Sequence, residues 1–269
     1  MQRGDFHIHT CLRPIDDGAE TMTPPRIAET CRKRGFDAFG LSPHFHAGAD
    51  PAELLGFLET ARSECGGVLP MYCGAEAECT DAEGTLSIPD EAARQLDYVI
   101  ASGDHFNCTG AVKPPRAAAE HFAFHLELLL KLAANPLVDV IAHPLIAAVL
   151  LTAEGHLPGY ERMDTLPEIP ERWLKTFAGT ARSCGTAVEI NGFFTSVYRE
   201  RRAAAGDEYA ERYFAFFRRL AEAGVTLSAG SDAHNMEALA QYESAESWLK
   251  RLDVPPDQVW SPRRESKRG

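Results

Sequence analysis

The chain has 269 residues, 45% hydrophobic and 25% charged, the proportions of an ordinary globular protein able to bury a core. Its formal net charge of −12 disfavours long nucleic acid and anionic membranes as partners. The longest apolar run, residues 137–151, is interrupted by Asp139, His143 and Pro144 and falls short of the roughly 20 apolar residues that cross a bilayer.

In DFHIHT (5–10), Asp5, His7 and His9 alternate with Phe6 and Ile8, which predicts a first strand with both imidazoles on one face. A strand this early leaves no basic-then-apolar leader pattern, so the expected location is cytoplasmic. PPRIAETCRKRG (24–35) reads as a helix with proline in its first turn and glycine at its stop. FDAFGLS (36–42) is the second strand and runs into SPHFH. LPMYCGAE (69–76) and LDYVIAS (96–102) follow as strands, the latter leading into SGDHF. A long helical pattern (114–135) precedes the strand LVDVIAH (137–143). Residues 151–173 form a connection rich in proline and glycine, a candidate lid. The strand TAVEIN (186–191), a helix over 206–224 and the strand GVTLSAG (224–230) complete the series, and the basic tail 261–269 reads as a frayed terminus.

Seven apolar strands alternating with helices predict a parallel sheet covered by helices. No composition break divides it, so one domain over 1–269 is expected. Neither G-x-G-x-x-G nor G-x-x-x-x-G-K-[ST] follows a strand, which removes the nucleotide-cradling reason for an open doubly wound sheet. The expected fold class is α/β, as a β/α barrel. Seven cysteines, an odd number without C-x-x-C, read as reduced thiols.

Strand after strand ends in a metal-capable side chain. The first carries His7 and His9, the second His44 and His46, the third Glu76 and Glu78. The fourth leads to Asp104 and His105, the fifth ends at His143, the sixth at Glu189, and the seventh delivers Asp232 and His234. In a parallel β/α barrel these ends converge on one face. Imidazole and carboxylate together suit zinc, iron or manganese, and about nine ligands exceed one ion, so two or three divalent ions are expected. Such a cluster activates water at neutral pH and neutralises phosphoryl charge. His121 and His125 stand four apart on a helix, but Phe122 replaces the glutamate of a metalloprotease helix, so both read as helix-surface residues. His156 reads as an exposed loop residue, and His46 as a neighbour of the ligands or an acid.

In order and spacing, FHIHT, DDG, SPH, GAE, SGDHF, IAHP and GSDAH resemble the PHP (polymerase and histidinol phosphatase) family of metal-dependent phosphoesterases over roughly residues 4–240. The resemblance implies a distorted (β/α)7 barrel with its site at the C-terminal ends of the strands. It implies that His7 and His9 hold one ion with Asp232, and that Glu76 bridges to a second completed by His105 and His143. Asp17, His44 and His234 would hold a third, with Asp16 the alternative to Asp17 if the loop is shifted by one. Glu76 fits the family's G-x-E, which leaves Glu78 behind it or on the surface; LSPH stands where many members have TDH.

Residues 187–209 resemble the histidinol-phosphate phosphatase branch, with a Glu-x-Asn strand end and an arginine-bearing loop. Arg199 is the first choice for phosphate, with Arg201 and Arg202 behind it and Lys113 and Arg116 in a second positive loop. The implied reaction is hydrolysis of a small phosphate monoester, L-histidinol phosphate first. Asp232 or a nearby histidine such as His234 would pass a proton, and Glu189 would meet the substrate's amine. A nucleotide phosphatase or 3′-exonuclease would use the same metals. An amidohydrolase would add a lysine at a middle strand end, which is missing, and a non-catalytic metal-binding module would show gaps in the ligand series, which it does not.

Overall fold

A computed structural model describes residues 2–103, 112–145, 159–161, 163 and 165–262, with side chains described everywhere in these ranges except 197–207. Seven strands lie side by side, every neighbouring pair parallel: β1 (Gly4–Asp5), β2 (Ala38–Leu41), β4 (Met71–Glu78), β5 (Tyr98–Ser102), β6 (Val140–Ile141), β7 (Ala187–Asn191) and β8 (Leu227–Gly230). A short extra strand, β3 (His44–Phe45), joins the upper half of β4 and sets His44 opposite Glu76. The two edges of the sheet meet above β1, where Ile8 pairs with Ala233 and the Asp232 amide donates to the His7 carbonyl at 2.9 Å. The sheet is thus nearly closed into the expected seven-stranded barrel, with no edge left over on that side.

Among the described residues the α-helices are α1 (Pro24–Lys33), α2 (Pro51–Glu64), α3 (Asp90–Ala93), α4 (Ala118–Ala134), α5 (Glu171–Cys184), α6 (Gly192–Glu222) and α7 (Tyr242–Arg251). Among the described residues no helix is long and apolar enough to cross a membrane. Two elements differ from the sequence reading. Regular pairing of the first strand stops at Asp5, because residues 7–9 turn their backbone groups to Ser42 on one side and Asp232 and Ala233 on the other. The arginine-bearing loop after β7 is instead the start of α6, since the Asn191 carboxamide oxygen caps it from outside by accepting the Phe194 amide. The intervening Arg, Glu and Ala residues are strong helix formers that carry the helix through Gly206.

A plug of aromatic rings fills the lower half of the barrel. Phe6 meets Tyr72, Tyr98 and Trp260 edge to face at 5.7, 6.4 and 5.8 Å between centroids. The Tyr98 hydroxyl donates to the Phe6 carbonyl at 2.7 Å. Gly40 and Gly74 make room for it, because a Cβ at either position would collide with the Tyr98 ring. The larger apolar core lies between sheet and helices. Above this base, Glu76, Glu78, Glu189 and Asn191 lie buried towards the C-terminal ends of their strands.

Candidate metal centre

Glu76 sits at the centre of that face. The two-residue period of β4 buries its neighbours Ala75 and Ala77 on the opposite side and sends the Glu76 carboxylate inward. Its Oε2 lies 3.3 Å from His7 Nε2, 3.4 Å from His9 Nε2 and 3.2 Å from His44 Nε2. Its Oε1 lies 3.0 Å from His143 Nε2. Asp232 approaches from the far edge, with Oδ1 3.0 Å from His9 Nε2 and 3.5 Å from His7 Nε2. At the rim, Asp17 Oδ1 lies 3.1 Å from His234 Nε2 and 3.3 Å from His44 Nδ1. Two groups can each hold an ion, with ligand atoms within 4.8 Å of one another: His7, His9, Glu76 and Asp232; and His9, Asp17, His44 and His234.

The backbone is bent to this purpose. Asp232 has a φ of 58° and His143 a φ of 22°, both on the left-handed side that residues other than glycine rarely adopt. Such positions cost on the order of 1–3 kcal/mol and gather at functional sites. Electrostatics fits the geometry. Burial alone would lower the His7 imidazole's affinity for a proton, but Glu189, Asp232 and Glu76 outweigh it and hold its pKa above the ordinary value. Burial would raise Asp232, yet His7 and His9 hold it well below the usual carboxylate range. Hydrogen bonds from His234 and His44 hold Asp17 low.

The residues present fit a centre of divalent ions. His7 Nδ1 meets Glu189 Oε1 at 2.7 Å, but its Nε2 is buried with no hydrogen-bond partner and faces Glu76 and Asp232. Imidazole and carboxylate groups turned on one another in this way are the donor set of zinc, manganese or iron.

Of the residues singled out in the sequence, His7, His9, Asp17, His44, Glu76, His143, Asp232 and His234 come together here. His105 and His156 lie outside the described residues, as do the side chains of Arg199, Arg201 and Arg202, whose backbone belongs to α6. Glu189 is not turned to an outside amine. It is 1% exposed; Oε1 faces His7, and Oε2 accepts the His143 amide and the Asn191 Nδ2–H, both at 3.0 Å. Glu78 is buried as well, accepting the Ala47 amide at 2.8 Å beneath His46. His121 and His125 are not surface residues: both are fully buried on the face of α4 that also buries Phe122, Leu126 and Leu129. His125 Nε2 accepts the Leu145 amide at 3.1 Å and so supports the turn that carries His143. Lys113 and Arg116 are exposed.

Two supporting residues were only partly visible in the sequence. Asn191 donates to Asp232 Oδ2 at 3.2 Å while its oxygen caps α6. The signal was the Glu-x-Asn alternation, which puts both side chains on the inner face of β7. Asp16 is 1% exposed and lies behind His9 and His44, whereas the neighbouring Asp17 side chain is 63% exposed and faces them from the rim.

No family model matches the chain. A probable phosphatase of Caldanaerobacter subterraneus subsp. tengcongensis is 30% identical over 257 residues, covering 95% of this chain and 85% of the relative. A probable phosphatase of Acetivibrio thermocellus is 27% identical over 257 residues, covering 95% and 89%. Among solved structures, histidinol phosphate phosphatase from Lactococcus lactis, complexed with zinc, L-histidinol and phosphate, superposes with a TM-score of 0.64 at 13% identity, covering 97% of this chain and 96% of the other. That likeness is one of fold. Motifs, barrel and phosphatase relatives agree: the chain belongs to the PHP-type phosphoesterases.

Proposed function

We propose that the protein hydrolyses a small phosphate monoester at a centre of two or three divalent ions, with L-histidinol phosphate the first substrate to test. The observation that carries this reading is the Glu76 carboxylate, approached by ring nitrogens of His7, His9, His44 and His143 at 3.0–3.4 Å. His7, His9, Glu76 and Asp232 would hold one ion, and Asp17, His44 and His234 beside His9 would hold another. Zinc, manganese or iron bound among these groups would neutralise phosphoryl charge and make water acidic at neutral pH.

The chain's own groups do the rest. Asp232, whose Oδ1 faces His9 Nε2 at 3.0 Å and His7 Nε2 at 3.5 Å, is one candidate to pass a proton to the leaving group. His234, at the more exposed rim with Nδ1 3.7 Å from Asp232 Oδ1, is the other candidate for that proton. Arg199 is the first candidate for the phosphate contact, with Arg201 behind it, because a guanidinium fork suits phosphate oxygens. The relatives' names and the structural likeness to an enzyme that carries zinc, L-histidinol and phosphate support this assignment.

The test is an assay of manganese- or zinc-reconstituted protein on L-histidinol phosphate, with nucleoside monophosphates in parallel and His9→Ala as control. Metal-dependent release of phosphate from histidinol phosphate, lost in His9→Ala, is the expected result. Turnover of nucleotides alone would replace the substrate and keep the chemistry. No turnover of any phosphate ester at full metal occupancy would overturn the reading.

A further inference from the structure

We propose that Asp16 is a positioning residue of the metal centre: one carboxylate oxygen holds Nδ1 of both His9 and His44, so that both rings present Nε2 to the ions. The inference rests on the reading of this face as a metal centre and is independent of the substrate.

Asp16 Oδ1 lies 3.0 Å from His9 Nδ1 and 3.1 Å from His44 Nδ1. The same oxygen accepts the Asp17 amide at 3.0 Å and the His44 amide at 3.3 Å. Oδ2 accepts the Thr10 amide and, at 3.0 Å, the Thr10 hydroxyl. A carboxylate has about four lone-pair sites, and protein donors take up all of them here. It has nothing left to give an ion. A neutral imidazole carries one N–H, so a ring that donates from Nδ1 keeps the Nε2 lone pair for a metal. Those nitrogens point the right way: His9 Nε2 faces Asp232 and Glu76, and His44 Nε2 faces Glu76. Hung from one oxygen, the two rings stack at 4.1 Å between centroids.

The adjacent acids therefore divide the work. Asp16 is buried and saturated by donors; among the described residues the Asp17 carboxylate meets His44 and His234. The loop between them and the first strand is held for this purpose. The Arg13 guanidinium donates to the carbonyls of Asp16, Asp17 and Gly18 at 3.1, 3.2 and 3.2 Å, which fixes one acid inward and the next outward.

The experiment uses the whole chain labelled with ¹⁵N-histidine and loaded with ¹¹³Cd. In the wild type, cadmium coupling is expected at Nε2 of His9 and His44, with both Nδ1 atoms protonated. Coupling through Nδ1 at either ring would overturn the proposal, whether or not any variant folds. Chelator competition then separates roles. Asp16→Asn should bind as many ions as wild type at saturation but about 10–100-fold more weakly, while Asp17→Asn should lose one ion per chain. Unchanged affinity in Asp16→Asn, even with a lowered melting temperature of the metal-free protein, would make Asp16 merely structural and overturn the proposal. Loss of an ion in Asp16→Asn but not in Asp17→Asn would make Asp16 a ligand and overturn it too. A wild type that binds no metal at all would instead remove the metal centre and the proposal with it.

Discussion

Glu189 shows how far a residue's role depends on what stands behind the first ring of ligands. The sequence places it at a strand end, where a carboxylate for a cationic substrate is a reasonable expectation. In the folded chain it is sealed behind His7 and the His143 amide. Carboxylates that hold the far nitrogen of a metal-bound histidine fix its tautomer and raise its basicity. Glu189→Gln is therefore expected to weaken metal binding about 10–100-fold, measured by chelator competition, because the amide would set a donor against groups that already donate. If Glu189 met the substrate instead, the same variant would raise KM for histidinol phosphate and leave metal affinity untouched. Candidate ligands such as His7, His44 and Asp232 were legible in the sequence because their spacing follows the strands. Their supporting partners were not, because Asp16 and Glu189 act on residues from distant elements that meet only when the barrel closes.

Among the elements, strands were easier to place than the helix that follows the sixth of them. Apolar runs such as 96–102 and 186–191 became β5 and β7 nearly unchanged, since a strand buried on both faces carries its own signature. The helix α6 begins 14 residues earlier than the 206 read from the sequence, a difference between its observed start at Gly192 and the polar stretch that looked like a loop. What starts it is one side chain, Asn191, which caps the helix and also holds Asp232. Asn191→Ala should cost about 1 kcal/mol of stability through the lost cap and lower kcat about tenfold or more through the freed carboxylate. Asn191→Ser keeps a capping oxygen but cannot reach Asp232. Urea unfolding should then show the cap's share restored, while the kinetics stay those of the alanine variant. Recovery of both together would mean that the cap alone matters.

For the molecule as a whole, the barrel works because its two ends have opposite chemistry. The closed base is aromatic, and the open end collects the histidines and acids. Sequence periodicity indicated the parallel barrel, but not the plug, which depends on Tyr98 lying across two strands that have no side chain there. Gly74→Ala should destabilise the chain by about 1–3 kcal/mol, the usual cost of overpacking a core, as read by urea unfolding. Recovery by Tyr98→Phe is not expected, because the ring itself occupies the space. Glu76 is one residue on one strand, yet His7, His9, His44 and His143 from three other parts of the chain are turned towards it. The decisive measurement is the metal content of wild type and Glu76→Gln after chelation and reloading, taken with phosphate release from the same samples. The wild type is expected to hold about two or three ions per chain. Glu76→Gln is expected to lose at least one of them and to turn over more slowly by on the order of 10²–10³. A Glu76→Gln protein that keeps its full complement of ions and hydrolyses phosphate esters at the wild-type rate would refute a metal centre built around Glu76.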